Sequence, residues 1–275
     1  MSAEMSELLP LVAILAAIGG FAGILAGLLG VGGGIVLVPA FYYVFSALGY
    51  DSPWLMQICL ATSLATIMVT SARSVLAHGR KGAVDWEVLR TWAPGIALGA
   101  VFGVMAVAAL RTPALQAIFG GIGMLIGLWM GFGRIDHKIA DEMPKGPLRL
   151  VLSVIVGFLS VLMGIGGGSF GVPLMVLHGK PIHKAVATAA GFGGLIALPS
   201  VIGFLFVEIP PDARPPFTIG AVNIAAFAIV VTMTLFTAPL GVKLAHRLDP
   251  KPLKRVFAVF LILVAGNMLR KSLGV

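Results

Sequence analysis

Two glycine-rich motifs are the residues best able to do chemistry in this chain of 275 residues. The first is GLLGVGGG at 27–34, closing at Pro39, and the second is VLMGIGGG at 161–168, closing at Pro173. Three consecutive glycines break a helix, and the residues after them can restart one. The first N–H groups of a restarted helix point back at the break, with the positive end of the helix dipole behind them. Each motif could therefore bind a small anion through backbone amides.

The predicted substrate site combines these amides with hydroxyl groups nearby. Glycine suits such a site because it places no side chain between the backbone and the ligand. The predicted substrate-binding residues are Gly32, Gly33, Gly34, Gly166, Gly167, Gly168, Ser169, Thr62, Ser63 and Thr188. The alternative for Thr62, Ser63 and Thr188 is a hydrogen bond to their own helix. The alternative for the glycines is close helix packing, which is the interpretation we favour for the Gly-x-x-x-Gly spacings at Gly19/Gly23/Gly27, Gly95/Gly99/Gly103 and Gly123/Gly127/Gly131.

Other site chemistries find little support in the sequence. All 11 Asp and Glu residues lie in the tails of the chain or in the connections between its apolar segments, which are predicted below to be membrane helices. No carboxylate is therefore expected at membrane depth to hold sodium or relay protons. The single cysteine, Cys59, excludes disulfides and a cysteine-based metal site. Gly-Gly-Ser-Phe-Gly at 167–171 fits the nucleophile pattern of hydrolases, with Ser169 as nucleophile, but lacks a strand-turn-helix setting. We predict no catalytic residue, no metal and no cofactor.

The elements that position these residues are predicted to be membrane helices. The chain is 59% hydrophobic and 11% charged, with a mean hydropathy of +1.04, which excludes a soluble globular protein. Segments 34–48 and 169–178 are too short to cross the bilayer, and each follows a glycine motif, which is typical of half-helices or re-entrant arms. The predicted apolar segments are 8–29, 34–48, 54–77, 88–110, 113–133, 148–165, 169–178, 184–207, 218–246 and 252–270.

The distribution of charge predicts which connections lie on which side. The net charge is +8, and we attribute it to membrane topology rather than to nucleic-acid binding. Basic residues concentrate at 78–90, 134–149 and 243–255, which are predicted to be cytoplasmic. The N-terminal tail and the connections at 49–53 and 208–217 carry more acidic character and are predicted to lie outside.

The chain contains an internal repeat. Gly30, Gly34 and Pro39 recur at one constant offset as Gly164, Gly168 and Pro173, and Ala61-Thr62-Ser63 matches Ala187-Thr188-Ala189. The charge pattern starts the first half outside and the second half inside. We therefore predict an all-α integral membrane protein of two inverted-topology repeats, each a re-entrant or broken helical hairpin plus three transmembrane helices. The predicted units are repeat 1–133, a cytoplasmic linker 134–147 and repeat 148–275.

The sequence resembles the TauE/SafE family of membrane permeases. The resemblance rests on GLLGVGGGIVLVP at 27–39, GGGSFGVP at 166–173, KAVAT at 184–188 and PLG near 239, and it covers nearly the whole chain. It implies a secondary carrier, in a bacterial cytoplasmic membrane, that exports or imports sulfite, thiosulfate or an organosulfonate without a cofactor. It also implies that Gly32–Gly34 and Gly166–Gly168 form the substrate region. The expected partners are the small anion and the lipid bilayer; the sequence leaves a homo-oligomer open, and a passive anion channel is the alternative function.

Overall fold

The structure is a computed structural model that describes residues 3–29, 33–132, 139–245 and 250–274. The predicted site residue Gly32 and the linker residues 134–138 lie outside the described residues. The described residues form ten α-helices and one two-stranded antiparallel sheet, so the predicted all-α class is confirmed. The helices are α1 Ala3–Leu29, α2 Gly34–Ala47, α3 Leu55–Arg80, α4 Trp86–Ala109, α5 Thr112–Phe132, α6 Gly146–Leu162, α7 Gly168–Leu177, α8 Ile182–Leu205, α9 Ile224–Ala245 and α10 Pro250–Ser272.

Five of the described helices have the length and apolar character that crossing a bilayer requires. Within the described residues, α3, α4, α5, α8 and the Ile224–Gly241 part of α9 are long and apolar enough to cross a membrane. The helices α2, α6 and α7 are apolar but shorter. The predicted division into long spans and short arms is therefore confirmed at α2 and α7, the helices that follow the glycine motifs.

Two predicted boundaries are wrong. The segment predicted to begin at 218 begins instead with two short strands, β1 (Thr218–Ile219) and β2 (Val222–Asn223), which pair as a β-hairpin. Helix α9 starts only after Asn223, because the Oδ1 atom of Asn223 accepts a hydrogen bond from the N–H of Ala226 at 2.9 Å and so caps the helix. At the other end of the chain, the predicted acidic tail is part of α1.

Glycine contacts set the directions in which the helices pack. Gly19 of α1 lies against Val230 of α9 and Gly23 against Thr234, so these two helices run parallel. In the same way Gly95 lies against Ser153, so α4 runs beside α6, and Gly103 further along α4 meets Val161 further along α6. The contact of α5 with α10 is antiparallel: Gly120 meets Leu269, Gly127 meets Ile262 and Gly131 meets Ala258. The predicted packing role of the Gly-x-x-x-Gly spacings is confirmed for these residues.

The connections gather on two opposite faces. We call the first the β-hairpin face: the N–H of Thr112 donates to the Pro53 carbonyl at 2.8 Å, and Trp54 and Arg111 line one cavity together with the 205–220 segment. We call the second the linker face: the N–H of Ile139 donates to the Leu177 carbonyl at 2.8 Å. Lys180 joins Asp85 on this same linker face.

The short helices form two helical hairpins that enter from opposite faces. Helix α1 runs parallel to α9, which starts on the β-hairpin face, and α2 returns to that face at the 48–54 connection. Helix α6 runs parallel to α4, which starts on the linker face, and α7 returns to the linker face at 178–181. Each hairpin therefore bends inside the bundle. Helix α1 ends and α2 begins within the first glycine motif, and α6 ends and α7 begins within the second.

Candidate functional site

The two glycine motifs meet in the interior. A Cβ atom placed on Gly34 would lie 2.5 Å from the carbonyl oxygen of Gly164 and 2.9 Å from the Cα atom of Ile165. Gly33 precedes α2 with φ +72°, a left-handed conformation that glycine adopts without strain. The described residues 33–39 and 161–168 are all buried. The structure thus brings Gly34 of the first motif against the second motif, whereas Gly33 faces Ala22 and Ala26 of α1.

Gly164 ends helix α6 in the second motif. Its φ is +60°, its N–H donates to the Val161 carbonyl at 2.9 Å, and the N–H of Ile165 donates to the Ser160 carbonyl at 2.9 Å. These two bonds form a Schellman motif, which satisfies carbonyls at a helix end and lets the chain turn away. Residues 163–167 lie between α6 and α7, and α7 begins at Gly168. The predicted break in the second motif is therefore present.

The two glycines before α7 have different surroundings. A Cβ atom on Gly167 would overlap the Cβ atom of Phe192 in α8. A Cβ atom on Gly166 would lie 3.4 Å from Ile67 and 3.7 Å from Gly193, which is close to ordinary contact. Gly167 is therefore required by helix packing, whereas packing alone does not require a glycine at position 166.

Two of the predicted serines lie at this junction. Ser63 of α3 donates a hydrogen bond of 2.7 Å from its Oγ atom to the Gly164 carbonyl, which ties α3 to the second break. Ser169 lies in the first turn of α7, and its Oγ atom is buried with no hydrogen-bond partner among the described residues. A buried hydroxyl without a partner is costly in a folded protein, which makes Ser169 notable beside the start of a helix.

Thr62 and Thr188 make matching contacts, and neither contact is with the glycine motifs. The hydroxyl of Thr62 in α3 accepts a 3.0 Å hydrogen bond from the N–H of Asn223, the residue before α9. The hydroxyl of Thr188 in α8 accepts a 2.9 Å bond from the N–H of Asp85, the residue before α4. Both threonines are fully buried. Each thus fixes the start of a helix that belongs to the other predicted repeat.

The helix-capping residues Asp85 and Asn223 were missed by the sequence analysis. Asp85 caps α4 through a 3.1 Å bond from the Val88 N–H, and its second oxygen accepts a 2.6 Å hydrogen bond from the Nζ of Lys180. Asn223 caps α9 in the same way but donates to neutral oxygens of Pro216 and Thr218. An Asp or Asn shortly before an apolar run is a helix-start signal that the sequence did offer. The distant hydrogen-bond partners of Asp85 and Asn223 gave no local signal in the sequence.

The charged contact on the linker face is partly buried. Burial by itself would raise the pKa of Asp85, but hydrogen bonds from Lys180 and from the Val88 N–H, with the charges of Lys180 and Lys184, lower it below its ordinary value of 3.8. Asp85 is therefore ionised at neutral pH. Its ion pair holds the connection between α7 and α8 against the start of α4.

We expect Asp85→Asn to reduce thermal stability modestly at pH 7, by up to about 1 kcal/mol, because asparagine still caps α4 but no longer attracts Lys180. The folded pKa of Asp85 is depressed, so this contribution is complete above the ordinary pKa of 3.8 and is lost as pH falls through the lower folded value. Melting temperatures of wild type and variant should converge below that pH. Glu142→Gln, which breaks the exposed ion pair with Lys145, is the control and should have a smaller effect. A stability gap that persists well below pH 3.8 would contradict the assignment.

Comparison with known protein families gives a match over the part of the chain that carries both glycine motifs. The sequence profile described as "Sulfite exporter TauE/SafE" matches residues 15–268, which include both motifs and all helices from α2 to α9. The chain belongs to the TauE/SafE family. A "Probable membrane transporter protein" of Haemophilus influenzae is 29% identical over 254 residues, covering 92% of this chain and 96% of the relative.

Further relatives of this TauE/SafE protein carry similar descriptions. A "Probable membrane transporter protein" of Methanocaldococcus jannaschii is 28% identical, over 90% of this chain and 91% of the relative. The "Probable membrane transporter protein YunE" of Bacillus subtilis is 26% identical, over 94% of this chain and 98% of the relative. No solved structure matches this chain. Family membership and the apolar helices make the chain a multi-pass membrane transporter rather than an enzyme.

Proposed function

We propose that this TauE/SafE transporter is a secondary carrier that exports a small sulfur-containing anion, such as sulfite, thiosulfate or an organosulfonate, by alternating access. The observation that carries the proposal is the contact between Gly34 and Gly164, where two helical hairpins from opposite faces meet at their glycine breaks. Substrate sites of secondary transporters often lie where broken helices of two repeats meet near the membrane midplane. The bacterial cytoplasmic membrane is the proposed location.

The architecture we propose for this mechanism is a pair of inverted repeats, residues 1–133 and 148–275, joined by the cytoplasmic linker 134–147. Two features support it. The packing of α1 with α9 corresponds to that of α6 with α4 when the halves are exchanged. In addition, α1 and α6 run in opposite directions, as deduced from the glycine contacts. Rocking of one half against the other would then open the junction to each face in turn.

Within the proposed site the residues have different roles. Backbone amides of Gly32–Gly34 and Gly166–Gly168 would face the anion, and the hydroxyl of Ser169, which has no hydrogen-bond partner in the part of the chain that the structure describes, would donate to it. Ser63 would hold the Gly164 carbonyl away from the negative charge through its 2.7 Å hydrogen bond. Thr62 and Thr188 would act on the site by positioning α9 and α4. The described residues of the junction are buried in the structure.

The proposal is tested with purified protein reconstituted into liposomes. Uptake of radiolabelled sulfite should saturate, and unlabelled sulfite or methanesulfonate loaded inside should accelerate it by counterflow. A passive anion channel would instead give unsaturated flux without counterflow. Folded, reconstituted protein that moves none of these anions would refute the proposed substrate class.

We expect Ser169→Ala to weaken substrate binding with little effect on folding. The hydroxyl has no partner to lose among the described residues, whereas its hydrogen bond to a charged ligand would contribute about 1.5–3 kcal/mol, so half-saturation should rise about tenfold or more. The control is Ser200→Ala in α8, because the hydroxyl of Ser200 donates a hydrogen bond to the Ile196 carbonyl of its own helix. Unchanged transport kinetics in Ser169→Ala would remove Ser169 from the site.

A further inference from the structure

The β-hairpin face contains a cavity separate from the glycine junction. Its volume is about 750 Å³, enough for a small hydrated anion. The residues that matter for its chemistry are Trp54, Arg111, Val207, Glu208, Pro210 and Arg214. The cavity thus lies where the start of α3, the link from α4 to α5 and the segment after α8 come together.

Two guanidinium groups give this cavity its charge. Arg111 lies over the ring of Trp54, 4.5 Å from its centre, so a cation–π contact holds the guanidinium at the cavity wall. Within the residues that the structure describes, neither Arg111 nor Arg214 forms an ion pair with a carboxylate. Glu208 is the acidic residue of the lining, so the cationic charges exceed the anionic ones. Guanidinium groups bind planar and tetrahedral oxyanions through paired N–H donors.

The remaining walls are mostly apolar. Leu205, Phe206, Val207, Ile209 and two prolines contribute to the lining. Apolar walls with a few convergent polar groups are typical of sites for small organic ligands. The combination fits an oxyanion head attached to a short apolar body better than a bare inorganic ion.

We propose that this cavity is a second anion site, at which Arg111 and Arg214 bind a small organic oxyanion such as a short-chain sulfonate. The site collects the anion on the β-hairpin face before or after its passage through the junction. Its place in transport rests on the proposed function. Binding itself does not, and it can be measured in protein that is not transporting.

The fluorescence of Trp54 can report binding, because Arg111 lies over its ring. Ethanesulfonate is titrated into detergent-purified protein at constant ionic strength while tryptophan emission is recorded. We expect a saturable change that Trp54→Phe abolishes. Arg111→Gln and Arg214→Gln should each raise the half-saturating concentration about tenfold, since each removes a charged donor. Arg111→Lys, which keeps the charge but not the paired donors, should give an intermediate value.

The matched control is Arg270→Gln, because Arg270 is exposed near the end of α10 and bonds Asn267 rather than the cavity. It should leave the titration unchanged. A titration that does not saturate, or that is equally strong in the Arg111→Gln/Arg214→Gln double variant with unchanged melting temperature, overturns the proposal. If wild-type protein transports sulfite but shows no saturable change in tryptophan emission, only this cavity site is refuted. If it shows the saturable change but transports none of the anions tested, only the proposed carrier function is refuted.

Discussion

Gly34→Ala should strongly destabilise the protein, whereas Gly166→Ala should leave its fold intact. The added methyl group at position 34 would lie 2.5 Å from the Gly164 carbonyl oxygen, and both sides of that contact are backbone. Overpacking of a tight interior costs about 1–3 kcal/mol, and we expect the upper end because a backbone carbonyl cannot move aside as a side chain can. At position 166 the nearest atom would be 3.4 Å away, on the side chain of Ile67.

The comparison separates packing from binding. Melting temperature and monodispersity in detergent report the fold, and sulfite flux in liposomes reports the site. We expect Gly166→Ala to melt like the wild type and to transport at least about tenfold more slowly, because a methyl group would stand between the backbone and the anion. Wild-type flux in Gly166→Ala would contradict the proposed role of the amides at this motif. Wild-type stability in Gly34→Ala would contradict the close approach of the two motifs.

Thr62→Val and Thr188→Val should each destabilise the protein by about 1–2 kcal/mol, because each leaves a backbone N–H at the start of a helix without its acceptor. Valine matches threonine in shape, so lost packing contributes little. Thermal or denaturant unfolding in mixed micelles measures the effect. We also expect slower transport in both variants, since α4 and α9 would be less firmly positioned.

Thr66→Val is the matched control for these changes. Thr66 is buried in the same helix as Thr62, but its hydroxyl donates to the Thr62 carbonyl one turn earlier, an interaction that stabilises a helix little. It should therefore cost clearly less than Thr62→Val. Equal losses in the two variants would mean that the hydroxyl of Thr62 does not secure the start of α9.

Local signals in the sequence were sufficient to predict most helix positions. Each predicted apolar segment overlaps one observed helix, because apolar runs, glycine and proline act within a few residues of where they stand. The β-hairpin at 218–223 was missed because Thr-Ile-Gly-Ala-Val-Asn continues the apolar run of α9. Helix α9 nevertheless starts only after Asn223, because the side chain of Asn223 caps it. A hydropathy pattern contains no information about such a cap.

Contacts distant in sequence were beyond prediction. The glycine spacing in α1 predicted close packing, but nothing near Gly19 names α9 as the partner. The roles of Thr62 and Thr188 depend on acceptor geometry toward Asn223 and Asp85, which follows only from the assembled bundle. The cavity beside Arg111 was missed for the same reason, since its walls come from three separate connections.

The parallel packing of α1 with α9 constrains how the protein is made. Most of the polypeptide separates Gly19 from Val230, so α1 enters the bilayer long before the surface that covers its glycines has been synthesised. Helices that insert separately and associate later can tolerate such a delay, provided that lipid or an insertion factor occupies the vacant groove meanwhile. Maturation of this transporter therefore depends on translation reaching α9, and a ribosome that stalls between α5 and α8 would leave α1 without its partner in the membrane.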